Sequence, residues 1–493
     1  VGGDVNDPER IEAPARPAYQ IQSHSGTPED TVDRSQISEL QHEIERLRAD
    51  KVELETLLTI NPATGLPIRR IFDRDLQRAL EEHAEGSKRT KLAVGVVRLD
   101  NDYNRIKHTR DRNRVLLFKT ADRIKELLGD VVYQSDRLDE FLVIVFDLPN
   151  HDGLEIKAEE IIDVISRSHE APADDVRFGC HVGLSLYPDH GDSRELLLGN
   201  ADIALVESEK ALSPFVVYDD QTGLRFRERE RIEFELKQAI HDSFAGFSLH
   251  YQPLVGRDLT SSGAEALLRW ESPTLGTVSP GRFVPIAEET GTIRHIGQWV
   301  LYQACRQLRE WQERGHQDLY LSINISPSQF KQIDIVERVS GVIESTGLDA
   351  TSLHLELTET TVMEDPSDAR AKLEELRDLG IHLALDDFGT GYSSLTHLRQ
   401  FPFDVLKIDR SFVTDVDQNA NNQEIVKAMI GLARGFGMNS LAEGVETQAE
   451  LDFLLGAGCD LIQGYFFSRP LPGDRYFEYL QERLPATDVA DVS

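Results

Sequence analysis

Carboxylate and amide side chains recur at the ends of apolar runs between residues 265 and 463 of this 493-residue chain. The runs read EALLRW, SINIS, LELTET, LALDDFG, LKIDRSF, LAEGVE and LIQGYF. They carry, in turn, Glu265, Asn324, Glu356, Asp386 with Asp387, Lys407, Glu443 and Gln463. Oxygen donors gathered without His or Cys suit hard cations, Mg²⁺ or Mn²⁺ rather than zinc. Two such ions side by side would clamp the attacking and leaving oxygens of a phosphodiester. Lys407 is suited to position a water and offset developing negative charge. Glu443 is suited to take a proton or hold an ion-bound water. Arg269, on the same run as Glu265, is suited to grip a phosphate oxygen.

Glu265, Asn324, Glu356 and Asp386 come from different runs, so only a mouth common to all of them can bring them together. The runs FSLHYQPLV, AEALLRW, LYLSINIS, SLHLELTE, HLALDDF, DVLKIDRSF, NSLAEGVE and DLIQGYFF read as strands. Helical stretches such as VLYQACRQLREWQERG, ARAKLEELRDLG and NQEIVKAMIGLARGFG separate them, several ending in Gly. Eight strands with intervening helices over about 250 residues predict a TIM-type (β/α)8 barrel, whose chemistry sits at the C-terminal strand ends. Phe388-Gly389-Thr390-Gly391 after the Asp pair supplies the turn that lets both aspartates reach a cation. His250 and His382 flank apolar strands and read as core or surface residues. Trp270 and Phe283 read as packing, and Cys305 as core filler.

The net charge of −33 argues against general nucleic-acid binding but leaves room for a small phosphate ligand held through cations. Hydrophobic and charged contents of 40% and 28% fit globular domains, two to four of them at roughly 150 residues each. Cys180, Cys305 and Cys459 are scattered, which fits a reducing compartment such as the cytoplasm. FLVIVF at Phe141–Phe146 is far too short to cross a bilayer. The start at Val1-Gly2-Gly3 reads as a cut from a longer protein, whose upstream part could hold a sensor or membrane segment.

Residues 1–34 read as a flexible tail, rich in Pro, Ser, Gly and acids. In residues 35–59, Ile37, Leu40, Ile44, Leu47, Leu54 and Leu58 follow heptad a/d spacing, with Lys51 at the remaining a site and Ser35 as N-cap. This predicts a parallel coiled coil and hence a homodimer, the alternative being an amphipathic helix packed on the next domain. Mixed α/β pattern fills 60–220, a charged helix joins the domains over 221–233, the barrel spans 234–484, and 485–493 is a tail.

The second domain resembles the EAL family of cyclic di-GMP phosphodiesterases over Phe234–Leu484. The likeness rests on YQP at Tyr251–Pro253, Glu265-Ala266-Leu267, FVPIAEETG at Phe283–Gly291, and then NISPSQF, LELTET, DDFGTGYSSL, LKIDRSFV, AEGVE and QGYFFSRPL. Each piece is weak alone; the ordered set is specific. The resemblance implies hydrolysis of cyclic di-GMP to linear pGpG by a metal-activated water. It implies a first metal site of Glu265, Asn324, Glu356 and Asp386, and a second of Asp386 and Asp387. It assigns Lys407 and Glu443 to the water, Glu446 to a supporting carboxylate, and Arg269, Gln463 and Leu267 to substrate contacts. Glu359 matches the glutamate that holds the Asp386–Leu395 loop, which in the family links the site to the dimer interface.

The first domain resembles GGDEF domains, the diguanylate cyclase fold, through NPATGLPIRRIF at Asn61–Phe72, VGLSLYPDHG and NADIALVESEK. Arg137 and Leu138 stand where that family has two glycines, followed by Asp139, Glu140 and Phe141. Those glycines let the backbone approach a nucleotide, and side chains there obstruct it. The resemblance places a metal-binding Asp at or near Arg98 and an Asn-Asp pair near Lys107-His108. Leu128-Gly129-Asp130-Val131 occupies the place of the inhibitory RxxD motif. Cyclase activity is therefore not expected. GTP binding as an activator, known for some degenerate members, is opposed by Arg137 and Lys107. The domain reads as a regulatory module or as a spacer that aids dimerisation. The whole reads as a cyclic di-GMP phosphodiesterase, with a non-catalytic cyclic di-GMP receptor as the rival.

Overall fold

The computed structural model describes residues 34–84, 91–100, 110–129, 131–148, 151–167, 179–211, 213–389 and 399–483. The chain divides into two compact units between Gly223 and Leu224. Among the described residues no helix is long and apolar enough to cross a membrane.

The first unit is a five-stranded sheet of β1 (Lys91–Leu99), β2 (Val132–Gln134), β3 (Glu140–Leu148), β4 (Cys180–Tyr187) and β5 (Phe215–Val217), in the order β2-β3-β1-β4-β5. KLAVGVVRL is apolar nearly throughout because β1 is central and covered on both faces. Leu92, Val94 and Val96 meet Phe72, Leu76 and Leu80 of helix Arg69–Ala84 and Leu197 and Leu205 of helix Arg194–Lys210. Ala93, Val97 and Leu99 point the other way, onto helices Arg110–Leu128 and His151–Ser166. Between β2 and β3 the chain turns through Arg137 and Leu138 without positive φ, so this turn needs no glycine. Arg137 folds back on Asp139 at 3.0 Å, and Leu138 is exposed. Lys107 and His108 lie outside the described residues.

Helix Arg34–Leu57 already includes Arg34, so Ser35 lies within the helix rather than at its cap. The charged joining segment is part of one continuous helix, Asp220–His241. Its Ile232, Leu236 and Ala239 already belong to the barrel's core.

The second unit closes eight strands into a barrel: β6 (Phe247–Gly256), β7 (Ser261–Ser272), β9 (Tyr320–Asn324), β10 (Leu353–Thr358), β11 (His382–Phe388), β12 (Val405–Ile408), β13 (Asn439–Ala442) and β14 (Leu461–Ile462). Short β8 (Gly276–Val278) and β15 (Leu471–Pro472) extend its edges. From β7 to β14 neighbours are parallel, but β6 runs antiparallel to both β7 and β14. This departs from a uniform (β/α)8 barrel for a simple reason. Only Arg257–Thr260 separates β6 from β7, a hairpin far too short for the crossover that parallel strands need.

Strand periodicity then sorts the interior into layers. Leu254, Ala384, Val405 and Leu441 form an apolar plug inside the barrel, with Tyr320 and Leu461 against it. Two residues further along the parallel strands, on the same face, come Asp386, Lys407, Glu443 and Gln463. On β6, which runs the other way, the equivalent residue precedes the plug: Gln252 comes two before Leu254. Alternate residues Leu353, Leu355, Leu357, Leu383 and Leu385 face outward onto the helices.

Candidate active site at the barrel mouth

Lys407 lies at the centre of the polar layer and is 1% exposed. Its Nζ is 2.5 Å from Glu356 Oε2, 2.6 Å from Glu443 Oε1, 3.2 Å from Asp386 Oδ1 and 3.9 Å from Glu265 Oε1. Glu265 is held on both oxygens: Asn324 Nδ2 donates to Oε1 and Gln463 Nε2 to Oε2, each at 2.6 Å. The β7–β9–β10 register makes this convergence possible, pairing Glu265 with Ser322 and Glu356 with Asn324. Ser322 Oγ donates to Glu356 Oε1. Asp386 accepts the backbone N–H of Asp387 at 2.9 Å. Asp387 itself takes φ 55°, where the β11–β12 pairing skips between Leu385 and Phe388.

Four carboxylates share one ammonium here, and the electrostatics follow. Burial opposes the Lys407 charge, but Glu265, Glu356, Glu443 and Asp386 hold its pKa well above the usual value. Burial drives Glu356 well above the carboxylate range, with Glu265 and Asp386 repelling its charge. Burial likewise pushes Glu443 up to about 7, against the pull of Lys407.

A cavity of about 310 Å³ opens over this layer. Leu267, Glu446 and Gln463 line it, as do Gln252, Arg410 and Tyr465. Arg410 Nη2 donates to Glu446 at 2.7 Å, so that carboxylate is already paired. Arg269, Glu359 and Asp387 are not among the lining residues. Arg269 is half-buried and donates to its neighbour's carbonyl, Leu268 O, at 2.8 Å; burial lowers its pKa. Glu359 opens the short helix Glu359–Met363 and is buried, with Oε2 unbonded among the described residues. The loop expected to lean on it lies outside the described residues from Thr390 onward.

Gln252 and Ser322 were not singled out by sequence reasoning. Gln252 faces Glu265 across the β6–β7 hairpin, accepts from Gln463 Nε2 at 3.1 Å, and donates to Ser468 O at 3.1 Å. Both could have been found by counting two residues along a strand, from Leu254 and from Asn324. A larger cavity, about 780 Å³, lies at the opposite end of the barrel around Tyr320, His354, His382 and Asp404. It holds none of the clustered carboxylates, and catalytic groups in such barrels belong at the other end.

Among the described residues, no three acidic, His or Cys side chains stand ready to hold an ion as placed, because the ammonium takes the centre. The donor set nonetheless suits a divalent cation. Its carboxylates outnumber its one ammonium, and the side-chain oxygen Gln463 Oε1 is buried and, among the described residues, unbonded. Glu265, Asn324, Glu356 and Asp386 are the side chains that could take it.

The EAL domain model matches residues 234–470, and the diguanylate cyclase GGDEF domain model matches residues 59–213. The chain belongs to the GGDEF–EAL family. It is 33% identical over 431 residues to the bifunctional diguanylate cyclase/cyclic di-GMP phosphodiesterase MucR of Pseudomonas aeruginosa, covering 86% of this chain and 62% of MucR. It is 34% identical over 455 residues to the cyclic di-GMP phosphodiesterase NbdA of the same organism, covering 91% of this chain and 57% of NbdA. The chain thus spans less than two thirds of the length of these curated relatives. Among solved structures, the EAL enzyme Bd1971 in its cAMP- and cyclic-di-GMP-bound form superposes with a TM-score of 0.51 at 29% identity, covering 70% of this chain and 82% of Bd1971.

Proposed function

We propose that the barrel hydrolyses cyclic di-GMP to linear 5′-pGpG, and that the first unit regulates it without cyclase activity. The observation that carries the reading is the buried layer in which Glu265, Glu356, Asp386 and Glu443 surround Lys407 at the C-terminal strand ends. Glu265, Asn324, Glu356 and Asp386 would hold one Mg²⁺ or Mn²⁺, and Asp386 with Asp387 a second. Such ions supply Lewis-acid charge to the phosphate and lower the pKa of a water.

The remaining work falls to the chain's own groups. Gln463 and Leu267, which line the cavity, bind and orient the dinucleotide, and Arg269 would join them by leaving its bond to Leu268 O. Glu443 accepts the proton of the attacking water. Lys407 keeps a positive charge beside the phosphate oxygens as negative charge builds. The water oxygen bonds to phosphorus, one P–O3′ bond breaks, and the departing 3′-oxygen takes a proton from solvent, to which Glu443 returns the one it received. Glu446 supports the rim through Arg410, and Glu359 braces the loop after Asp387.

Incubation of the purified chain with cyclic di-GMP and Mn²⁺, followed by chromatography, tests the reading. Accumulation of pGpG supports it. Binding of cyclic di-GMP without turnover would instead make the chain a receptor. Product from GTP alone would overturn the assignment of the first unit, and a change in turnover on adding GTP would reveal a nucleotide effect there.

A further inference from the structure

The cyclase fold implies a divalent ion at the end of its central strand, and the residues of this chain do not fit one. Arg98 stands where the metal-binding Asp is expected, next to last on β1 and directly opposite Glu140 in the β1–β3 ladder. Glu140 is 6% exposed, and both its oxygens are engaged. Arg98 Nε and Nη2 donate to Oε2 at 3.0 and 2.7 Å, and Ser135 Oγ donates to Oε1 at 2.6 Å. The other arm of the guanidinium, Nη1, donates at 2.9 Å to Glu209 Oε1 on helix Arg194–Lys210. Arg137 Nε adds a second positive group 4.0 Å from Glu140.

This is the geometry of an occupied cation site whose occupant is covalently part of the chain. An ion would need the carboxylate lone pairs that Arg98 already uses, and it would meet a fixed positive charge. A guanidinium does not deprotonate in a protein, so no accessible pH vacates the position. We propose that Arg98 is an internal substitute for the metal ion. It ties β1, β3 and helix Arg194–Lys210 together through Glu140 and Glu209, so the unit keeps this site's shape without a divalent cation and cannot take one up there.

Counting bound Mn²⁺ by electron paramagnetic resonance in three forms of the full chain tests this. The forms are the wild type, Glu140→Gln and Arg98→Asp, each checked for folding by circular dichroism. The wild type and Glu140→Gln are expected to bind the same number of ions. Arg98→Asp restores a carboxylate beside Glu140 and is expected to gain about one ion per chain. Its thermal midpoint is then expected to rise with Mn²⁺ and fall with chelator. Loss of an ion on Glu140→Gln would overturn the proposal, as would a folded Arg98→Asp that binds no more than the wild type. If Arg98→Asp does not fold, the Glu140→Gln comparison decides alone. Ions held in the barrel are common to all three forms and cancel, so the barrel's proposed hydrolysis stands or falls separately.

Discussion

Lys407 Nζ meets Glu356 Oε2 at 2.5 Å, and the two side chains are 2% and 1% exposed. A pair this deep gains little net stability while intact but costs heavily when one partner is removed. The relationship is therefore a test of what the layer is for. In Lys407→Met the stem is kept and the charge lost. The cation-free protein is expected to lose about 3–5 kcal/mol of stability, read by urea unfolding. Excess Mn²⁺ is expected to return much of that, because it supplies the missing charge. Turnover is expected to fall by about 10²-fold or more even with Mn²⁺ present. Near-normal turnover would remove Lys407 from the proposed chemistry.

Glu265 separates charge from hydrogen bonding. Glu265→Ala leaves Asn324 and Gln463 without their acceptor, at a cost of about 1–3 kcal/mol, and is expected to abolish most turnover. Glu265→Gln keeps one of the two acceptor oxygens and removes the charge, leaving one amide donor unpaired. It is expected to lose less stability than Glu265→Ala yet lose turnover alike. If Glu265→Gln instead turns over cyclic di-GMP normally, the residue does not hold a cation.

Gln252 acts through another side chain. Its amide links Gln463 to Ser468 O, fixing the Gln463 rotamer over the mouth. Gln252→Leu is expected to lower kcat/KM by about tenfold, equivalent to about 1.4 kcal/mol, chiefly through a higher KM. Steady-state kinetics with cyclic di-GMP read the split; a change confined to kcat would place Gln252 in the chemistry itself.

These residues show where reading the chain succeeds and where it stops. Strand-end acids announce themselves because a buried strand has a period of two and ends on a polar residue. The apolar plug at Leu254, Ala384, Val405 and Leu441 could thus be anticipated, and with it the layer above. Partner choice is not periodic. Nothing in LKIDRSF says that Lys407 is shared among four carboxylates, or in YQP that Gln252 holds Gln463. The antiparallel β6 was legible only in the shortness of Arg257–Thr260. In the first unit, the glycine-less turn between β2 and β3 was visible as Arg137-Leu138. That Arg98 faces Glu140 required the ladder register.

His354 gives the barrel a pH dependence remote from the mouth. Its ring stacks on Tyr320 at 4.1 Å and lies 4.8 Å from His382, which faces Asp404 at 3.4 Å. Burial, reinforced by His382, lowers its pKa to about 3. The folded state therefore favours neutral His354, while the unfolded chain begins to take up a proton near its ordinary value, about 6.5. The stability that this group contributes is whole above that pH and drains away as pH falls toward 3. By pH 5 the loss is at most about 2 kcal/mol. His354→Phe keeps a stacked ring with nothing to titrate. The difference in urea midpoint between pH 7 and pH 5 is expected to be smaller in that variant than in wild type. Equal differences would mean that His354 is protonated in both states or in neither.

Helix Arg34–Leu57, at the start of the first unit, carries an apolar stripe. Leu40, Ile44 and Leu47 are 63%, 48% and 57% exposed in a single chain, and they fall on one heptad stripe of helix Arg34–Leu57. A second copy in parallel would bury them, with Lys51 the polar interruption. Each Leu or Ile removed from water contributes about 1.5–3 kcal/mol. Ile44→Asp with Leu47→Asp is therefore expected to raise the dimer dissociation constant by at least about 10²-fold, since about 1.4 kcal/mol is a tenfold change. Lys51→Leu completes the stripe and is expected to tighten the dimer. Sedimentation equilibrium over a range of protein concentrations reads both changes. If neither substitution moves the monomer–dimer balance, the helix is not the pairing element, and any dimer must be held by another surface.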